Sequence, residues 1–153
     1  MSFIATVFVG CAQPPPVSTK SALELQSIQS REFEATKQQA FAATLSVFQD
    51  LGYIVSSANL DTGLITAKSP TVQDFVFSLL FVGQRMRDRK ANAFVEEIDK
   101  GRTKIRLNFV DTTQTSGSQG MRSEQDVPVE TPELYQDTFA KIQQGIFVRK
   151  NLQ

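Results

Sequence analysis

The chain has 153 residues, with 16 basic and 16 acidic side chains and a formal net charge of zero. That length is one domain, or one domain and a tail, and the charge balance argues against a general nucleic-acid binder, which needs a basic footprint to neutralise phosphates. There is no histidine and a single cysteine, which removes disulfides, Cys/His zinc clusters and every Ser-His or Cys-His nucleophile pair.

At the start of the chain, Phe3-Ile4-Ala5-Thr6-Val7-Phe8-Val9-Gly10 is an apolar run ended by Cys11, and Ala12-Gln13-Pro14-Pro15-Pro16 follows. A short hydrophobic stretch, a small residue and then cysteine resembles the lipobox of bacterial lipoproteins. That resemblance implies cleavage before Cys11 and lipid on its thiol. Phe8 stands where leucine is usual, and no Lys or Arg precedes the run, although a secretory signal has a basic n-region. The alternative is a buried strand carrying a packed cysteine, which would not normally run straight into Gln-Pro-Pro-Pro. Residues 1–10 are therefore expected to be a signal remnant. Residues 11–30 read as a tether whose prolines favour extended polyproline II, and Leu23, Leu25 and Ile28 could dock. Residues 31–153 read as the globular domain.

A first strand is expected at Arg31–Glu34. Thr36 with Gln39 makes a capping-box pattern, and Phe41, Leu45 and Phe48 recur on one helical face with Val47 and Leu51 widening it. Gly52 supplies the stop. Tyr53–Ser57 and Leu64–Ala67 read as a hairpin around the turn residues Asn59–Gly63, closed by Pro70.

In the stretch from Thr71 to Lys90, Val72, Phe75, Val76, Leu79 and Leu80 fit a helix, with Phe77, Phe81 and Val82 thickening it. Arg85, Arg87, Arg89 and Lys90, offset by Asp88, give residues 85–90 a local charge of +3. The most apolar internal run, Phe75–Val82, is far short of the roughly 20 residues a spanning helix needs.

Phe94–Ile98 and Thr103–Val110 read as a second hairpin around Asp99–Arg102. Ile105, Leu107 and Phe109 alternate with Lys104, Arg106 and Asn108, as in a sheet with one wet face. Asp111–Asp126 has almost no apolar residues and is expected to be a long mobile loop. Thr131, Pro132 and Glu133 open a last helix whose Tyr135, Phe139, Ile142 and Ile146 share a face. Phe147, Val148 and Leu152 are expected to lie against the sheet.

The order is β-α-β-β, an insertion, then β-β-α. Each half-apolar element must bury its stripe against another. The expected architecture is an α+β two-layer sandwich: an antiparallel sheet of four to five strands with two long helices on one face.

The element order, Gly52-Tyr53, Asp61-Thr62-Gly63-Leu64-Ile65, and Pro132-Glu133-Leu134-Tyr135 running to Ile146-Phe147-Val148 resemble small bacterial envelope lipoproteins with a BamC-like helix-grip domain. The resemblance implies a non-catalytic accessory role, and it carries over no site residues.

Among chemical candidates, Glu96 and Glu97 on adjacent strand positions point to opposite faces and cannot easily share a proton or a metal. Lys100-Gly101-Arg102 is a turn and no phosphate cradle. Tyr53 and Tyr135 could line a cleft between helix and sheet, but such residues are more often core. The sharpest candidate is the apolar-then-basic stretch, in which Phe75, Leu79, Leu80, Phe81, Arg85 and Arg87 would contact a partner. The competing possibilities are that it is core or that it inserts at a membrane interface.

The expectation is a non-enzymatic protein without cofactor or metal, anchored in the outer membrane through lipid on Cys11 and facing the periplasm. Ala12, where aspartate would resemble an inner-membrane retention signal, favours the outer membrane, if the cell has two membranes. It would bind another envelope protein or complex, and no nucleic acid. The alternative is a carrier holding a small apolar or lipid ligand between helices and sheet.

Overall fold

A computed structural model of the chain describes residues 20–78, 81–117, 120 and 122–151. Among them three helices and seven strands follow in the order α1 (Ala22–Gln29), β1 (Ser30–Phe33), α2 (Lys37–Asp50), β2 (Ile54–Asn59), β3 (Leu64–Lys68), β4 (Val72–Ser78), β5 (Phe81–Asp99), β6 (Arg102–Gly117), β7 (Arg122–Pro128) and α3 (Pro132–Asn151). All strand pairings are antiparallel, in the order β1-β6-β5-β3-β2, with β4 also paired to β5 and β7 also paired to β6.

This corrects the expected architecture. The sheet has seven strands rather than four or five, and a third helix, α1, joins the two longer ones. Two segments account for the extra strands. Thr71–Lys90, whose apolar spacing fits a helix, is a hairpin of β4 and the first part of β5, with Ser78 opposite Phe81 and Val72 opposite Arg87. A short apolar run looks alike to both periodicities, and here consecutive aromatic and β-branched residues carry the strand preference. Asp111–Asp126, expected as a loop, completes β6 and supplies most of β7, with Val110 opposite Pro128 and Ser116 opposite Arg122. Its strands are polar on both faces, so no alternation marks them.

The central hairpin is unusually long. β5 has 19 residues, about 60 Å at a strand's rise per residue. Its neighbours come in pairs laid end to end. Along β5, Lys68 of β3 sits opposite Lys90, and Val72 of β4 sits opposite Arg87. Along β6, β1 covers Thr103–Arg106 and β7 covers Val110–Ser116. Both flanks change strand near the same level, which divides the sheet into a core half and an arm.

Each break is repaired locally. Pro70 has no N–H to give the ladder, and the adjacent Ser69 takes over: its N–H donates to the Arg89 carbonyl at 2.8 Å, and its Oγ accepts from the Arg89 N–H at 2.8 Å. On the other flank Val129 N–H donates to the Phe109 carbonyl at 2.9 Å. The Tyr135 hydroxyl accepts from the Phe109 N–H at 3.4 Å and donates to the Val129 carbonyl at 2.7 Å.

The core lies between the first half of the sheet and helices α2 and α3. The helix α2 starts at Thr36, whose hydroxyl accepts from Gln39 N–H at 3.3 Å while Gln39 Oε1 accepts from Thr36 N–H at 3.2 Å, the reciprocal cap the sequence predicts. It buries Ala40, Phe41, Ala43, Val47 and Phe48; α3 buries Tyr135, Phe139, Ile142 and Ile146. Opposite them stand Ile65, Ala91, Val95, Ile105, Leu107 and Phe109. Rings meet at 5.2 Å between Phe109 and Tyr135, and at 6.3 Å between Phe48 and Phe109. The helices approach closely where Gly145 faces Ala43, and Arg149 ties them by donating to Ser46 Oγ at 2.6 Å. Phe147 and Val148, expected against the sheet, are exposed at 65% and 47% instead, because they fall off the buried face of α3. Leu152 lies outside the described residues.

Gly63 closes the β2–β3 turn at φ +76°, and a Cβ there would lie 2.1 Å from the Val95 carbonyl oxygen. The Gly63 carbonyl accepts from Val95 N–H at 2.8 Å, so only glycine permits this approach of β3 to β5.

The helix α1 lies within the stretch expected as a tether. Ser21 caps it, accepting from Glu24 N–H at 3.3 Å while Glu24 Oε2 accepts from Ser21 N–H at 2.8 Å.

Candidate functional site

The arm consists of β4, the first half of β5, the second half of β6, and β7. Its length along β5 is about 30 Å from Phe81 to Lys90. No helix packs extensively on β4 or β7, and among the described residues all of β7 is exposed. Cross-strand polar pairs hold it in place of a core. Arg89 binds Asp111 with two parallel bonds, Nε to Oδ1 at 2.5 Å and the terminal nitrogen to Oδ2 at 2.9 Å. Lys90 pairs with Asp126 at 3.2 Å, Lys68 with Asp88 at 3.4 Å, and Arg87 with Asp74. Thr112 Oγ1 donates to Asp126 at 2.6 Å. This bond, followed by that from Lys90, holds the Asp126 carboxyl below its usual range. Exposed pairs such as Lys90 with Asp126 contribute little; Asp88 is the exception, its side chain only 3% exposed beside Lys68.

Where arm meets core, a cleft of about 430 Å³ is lined by residues including Leu51, Tyr53, Ser69, Pro70, Val72 and Arg89. Tyr53 follows the stop of α2 at Gly52 and is half-buried, stacked at 5.8 Å from Phe48 and 6.2 Å from Phe109. Burial pushes its hydroxyl above the ordinary tyrosine range, partly opposed by the nearby Arg89 charge. The hydrogen bond to Asp111 raises Arg89 in turn. Because Asp111 already neutralises Arg89, and Asp74 does the same for Arg87, the cleft presents no spare cation for an anionic ligand. Tyr135, the other tyrosine considered, is fully buried and serves the Phe109–Val129 junction.

The residues singled out by sequence fall as follows. Phe75 sits in β4 opposite Gln84, and Phe81 begins β5 opposite Ser78, both toward the far end of the arm. Arg85 and Arg87 are exposed on the same hairpin, Arg85 opposite Asp74. The hairpin thus brings four of the six candidate contact residues onto one projecting element; Leu79, Leu80 and Cys11 lie outside the described residues. Glu96 and Glu97 are exposed, opposite Lys104 and Thr103. Among the described residues no group of three acidic or cysteine side chains is placed to hold a metal, and no helix is long and apolar enough to cross a membrane. Sequence reasoning missed Ser69, Arg89 and Asp111. Arg89 is indistinguishable from its neighbours in the basic run, and Asp111 sits in a segment with no periodicity.

No family model and no curated protein matches the chain. Among solved structures it is similar to a DUF4468 family protein from Bacteroides ovatus, at 9% identity and a TM-score of 0.40, covering 76% of this chain and 84% of that one.

Proposed function

We propose that the chain is a non-catalytic protein, held at the envelope by lipid on Cys11, whose arm binds another protein as an accessory subunit of an outer-membrane or periplasmic assembly. The observation that carries this reading is the arm itself: about half of a long hairpin projects beyond the helices, with Phe75 of β4 and Phe81 of β5 toward its far end. The apolar run ended by Gly10-Cys11, followed by three prolines, supports the anchor, and the accessory role agrees with what BamC-like lipoproteins imply.

The test is affinity purification from solubilised envelopes with the wild-type chain and with Phe81→Asp and Arg85→Glu. The reading predicts one stoichiometric envelope protein that is lost with either variant while the circular dichroism of the domain is unchanged. Recovery of an apolar small molecule with the chain, indifferent to both substitutions, would instead show a carrier.

A further inference from the structure

On the sheet face turned away from α2 and α3, a row of directly paired residues runs Ser30 of β1, Arg106 of β6, Phe94 of β5 and Leu64 of β3. Strand alternation puts them there, because their neighbours Ile105, Leu107, Val95 and Ile65 are buried in the core. The next row holds Glu32, Lys104 and Glu96. The helix α1 reaches over the β1 end of both rows. Its Gln26 lines two pockets, of about 210 and 320 Å³, which share Ser30 and Lys104 as a common wall.

Unlike Arg87, Arg89 and Lys90, which each meet a carboxylate, Lys104 and Arg106 make no ion pair or side-chain hydrogen bond among the described residues. Beside them the Ser30 Oγ is buried and has no hydrogen-bond partner there. An unsatisfied buried hydroxyl costs folding free energy unless a ligand supplies its acceptor. Phe94 and Leu64 continue the row as apolar surface, 39% and 52% exposed. Lys104 and Arg106 against Glu96 leave the smaller pocket with one positive charge in excess, and Arg31 cancels Glu32 in the larger.

From this arrangement we infer that the groove under α1 binds an organic carboxylate with a short apolar chain. The carboxylate lies between Arg106, Lys104 and the Ser30 hydroxyl, and the chain runs across Phe94 toward Leu64. A guanidinium holds a carboxylate through two parallel bonds, and the Ser30 Oγ donates a third. The single excess charge matches a monoanion better than a phosphate monoester, which carries nearly two charges. Leu64 stands two strand spacings, about 10 Å, from Arg106, within reach of an eight-carbon chain. The groove is on the opposite face from the Tyr53 cleft and away from the arm, so this site goes beyond the proposed envelope role and does not depend on it.

The test titrates the full chain with octanoate, and with acetate and octanol as its head and its chain alone, following backbone amides by NMR. Octanoate should saturate shifts at Ser30, Phe94, Lys104 and Arg106. Acetate and octanol, each lacking one half of the contact, should bind at least about ten-fold more weakly. Arg106→Gln and Lys104→Gln should each weaken octanoate about ten-fold, since each removes a hydrogen bond to a charge, with the remaining amide spectrum unchanged. Ser30→Ala separates a ligand role from a structural one. It removes an unpartnered hydroxyl, so the melting temperature should hold or rise while octanoate binding weakens. Should a glutamine variant fail to fold, Ser30→Ala and the comparison with acetate and octanol decide. Absence of saturable octanoate binding, shifts confined to the Tyr53 cleft, equal affinity for octanol, or binding indifferent to the substitutions at Ser30, Lys104 and Arg106 would each overturn the inference.

Discussion

Tyr53 joins the core to the arm through two different forces, ring contact with Phe48 and Phe109 on one side and the polar neighbourhood of Arg89 on the other. Its hydroxyl titrates above its ordinary value of 10.0 in the folded chain because burial disfavours the phenolate. The folded state therefore holds this proton more tightly than the unfolded state, so its contribution is complete below that value and is lost as pH rises through the folded pKa. Melting temperature measured against pH should fall more steeply above about pH 10 for the wild type than for Tyr53→Phe. Tyr135 works differently, since its hydroxyl satisfies both Phe109 N–H and the Val129 carbonyl where β1 gives way to β7. Tyr135→Phe leaves both groups buried and unpaired at that point, and urea denaturation should show a loss of about 1–3 kcal/mol. Gly63→Ala meets two obstacles at once, a positive φ and the Val95 carbonyl. Its cost should be about 2–4 kcal/mol by the same measurement.

At the scale of elements, stability is unevenly distributed. β5 and β6 bury Ala91, Ala93, Val95, Ile105, Leu107 and Phe109 beneath the helices, whereas their arm halves are joined mainly by ladder hydrogen bonds and exposed ion pairs. Hydrogen exchange should therefore protect the amides of 91–95 and 105–109 far longer than those of 83–87 and 113–117, although each set belongs to the same two strands. Uniform protection along β5 would contradict the division into core and arm. The same division explains what was legible in the sequence. The helix α2 from Thr36 to Gly52, the strand with Ile105, Leu107 and Phe109, and the Tyr135–Ile146 face of α3 all border the core, and burial writes a period into them. Among the described residues the arm buries only Asp88 and Thr112, so Asp111–Asp126 lacked alternation and resembled a loop; its threonines at 112, 113 and 115 were the one strand signal present. Val72–Ser78 misled in the opposite way, because its consecutive apolar residues fit helical spacing although the segment is a strand. The cleft was legible only in Tyr53, since its other polar members come from strands that the sequence did not reveal.

Among the described residues, the sheet has one half covered by helices, which supplies the core, and one half that no helix covers extensively. Lys20 lies beside this boundary, its Nζ donating to the Glu130 carbonyl at 2.5 Å, so the described chain enters the fold near the junction of core and arm. In the proposed reading a lipid on Cys11 would hold the molecule at a membrane and leave the arm to meet its partner. The most direct measurement is intact-mass analysis of the chain recovered from membrane and soluble fractions of its native cells. The account predicts a membrane-bound species that begins at Cys11 and carries acyl chains on that residue. An unmodified thiol with residues 1–10 still attached, found in the soluble fraction, would contradict it.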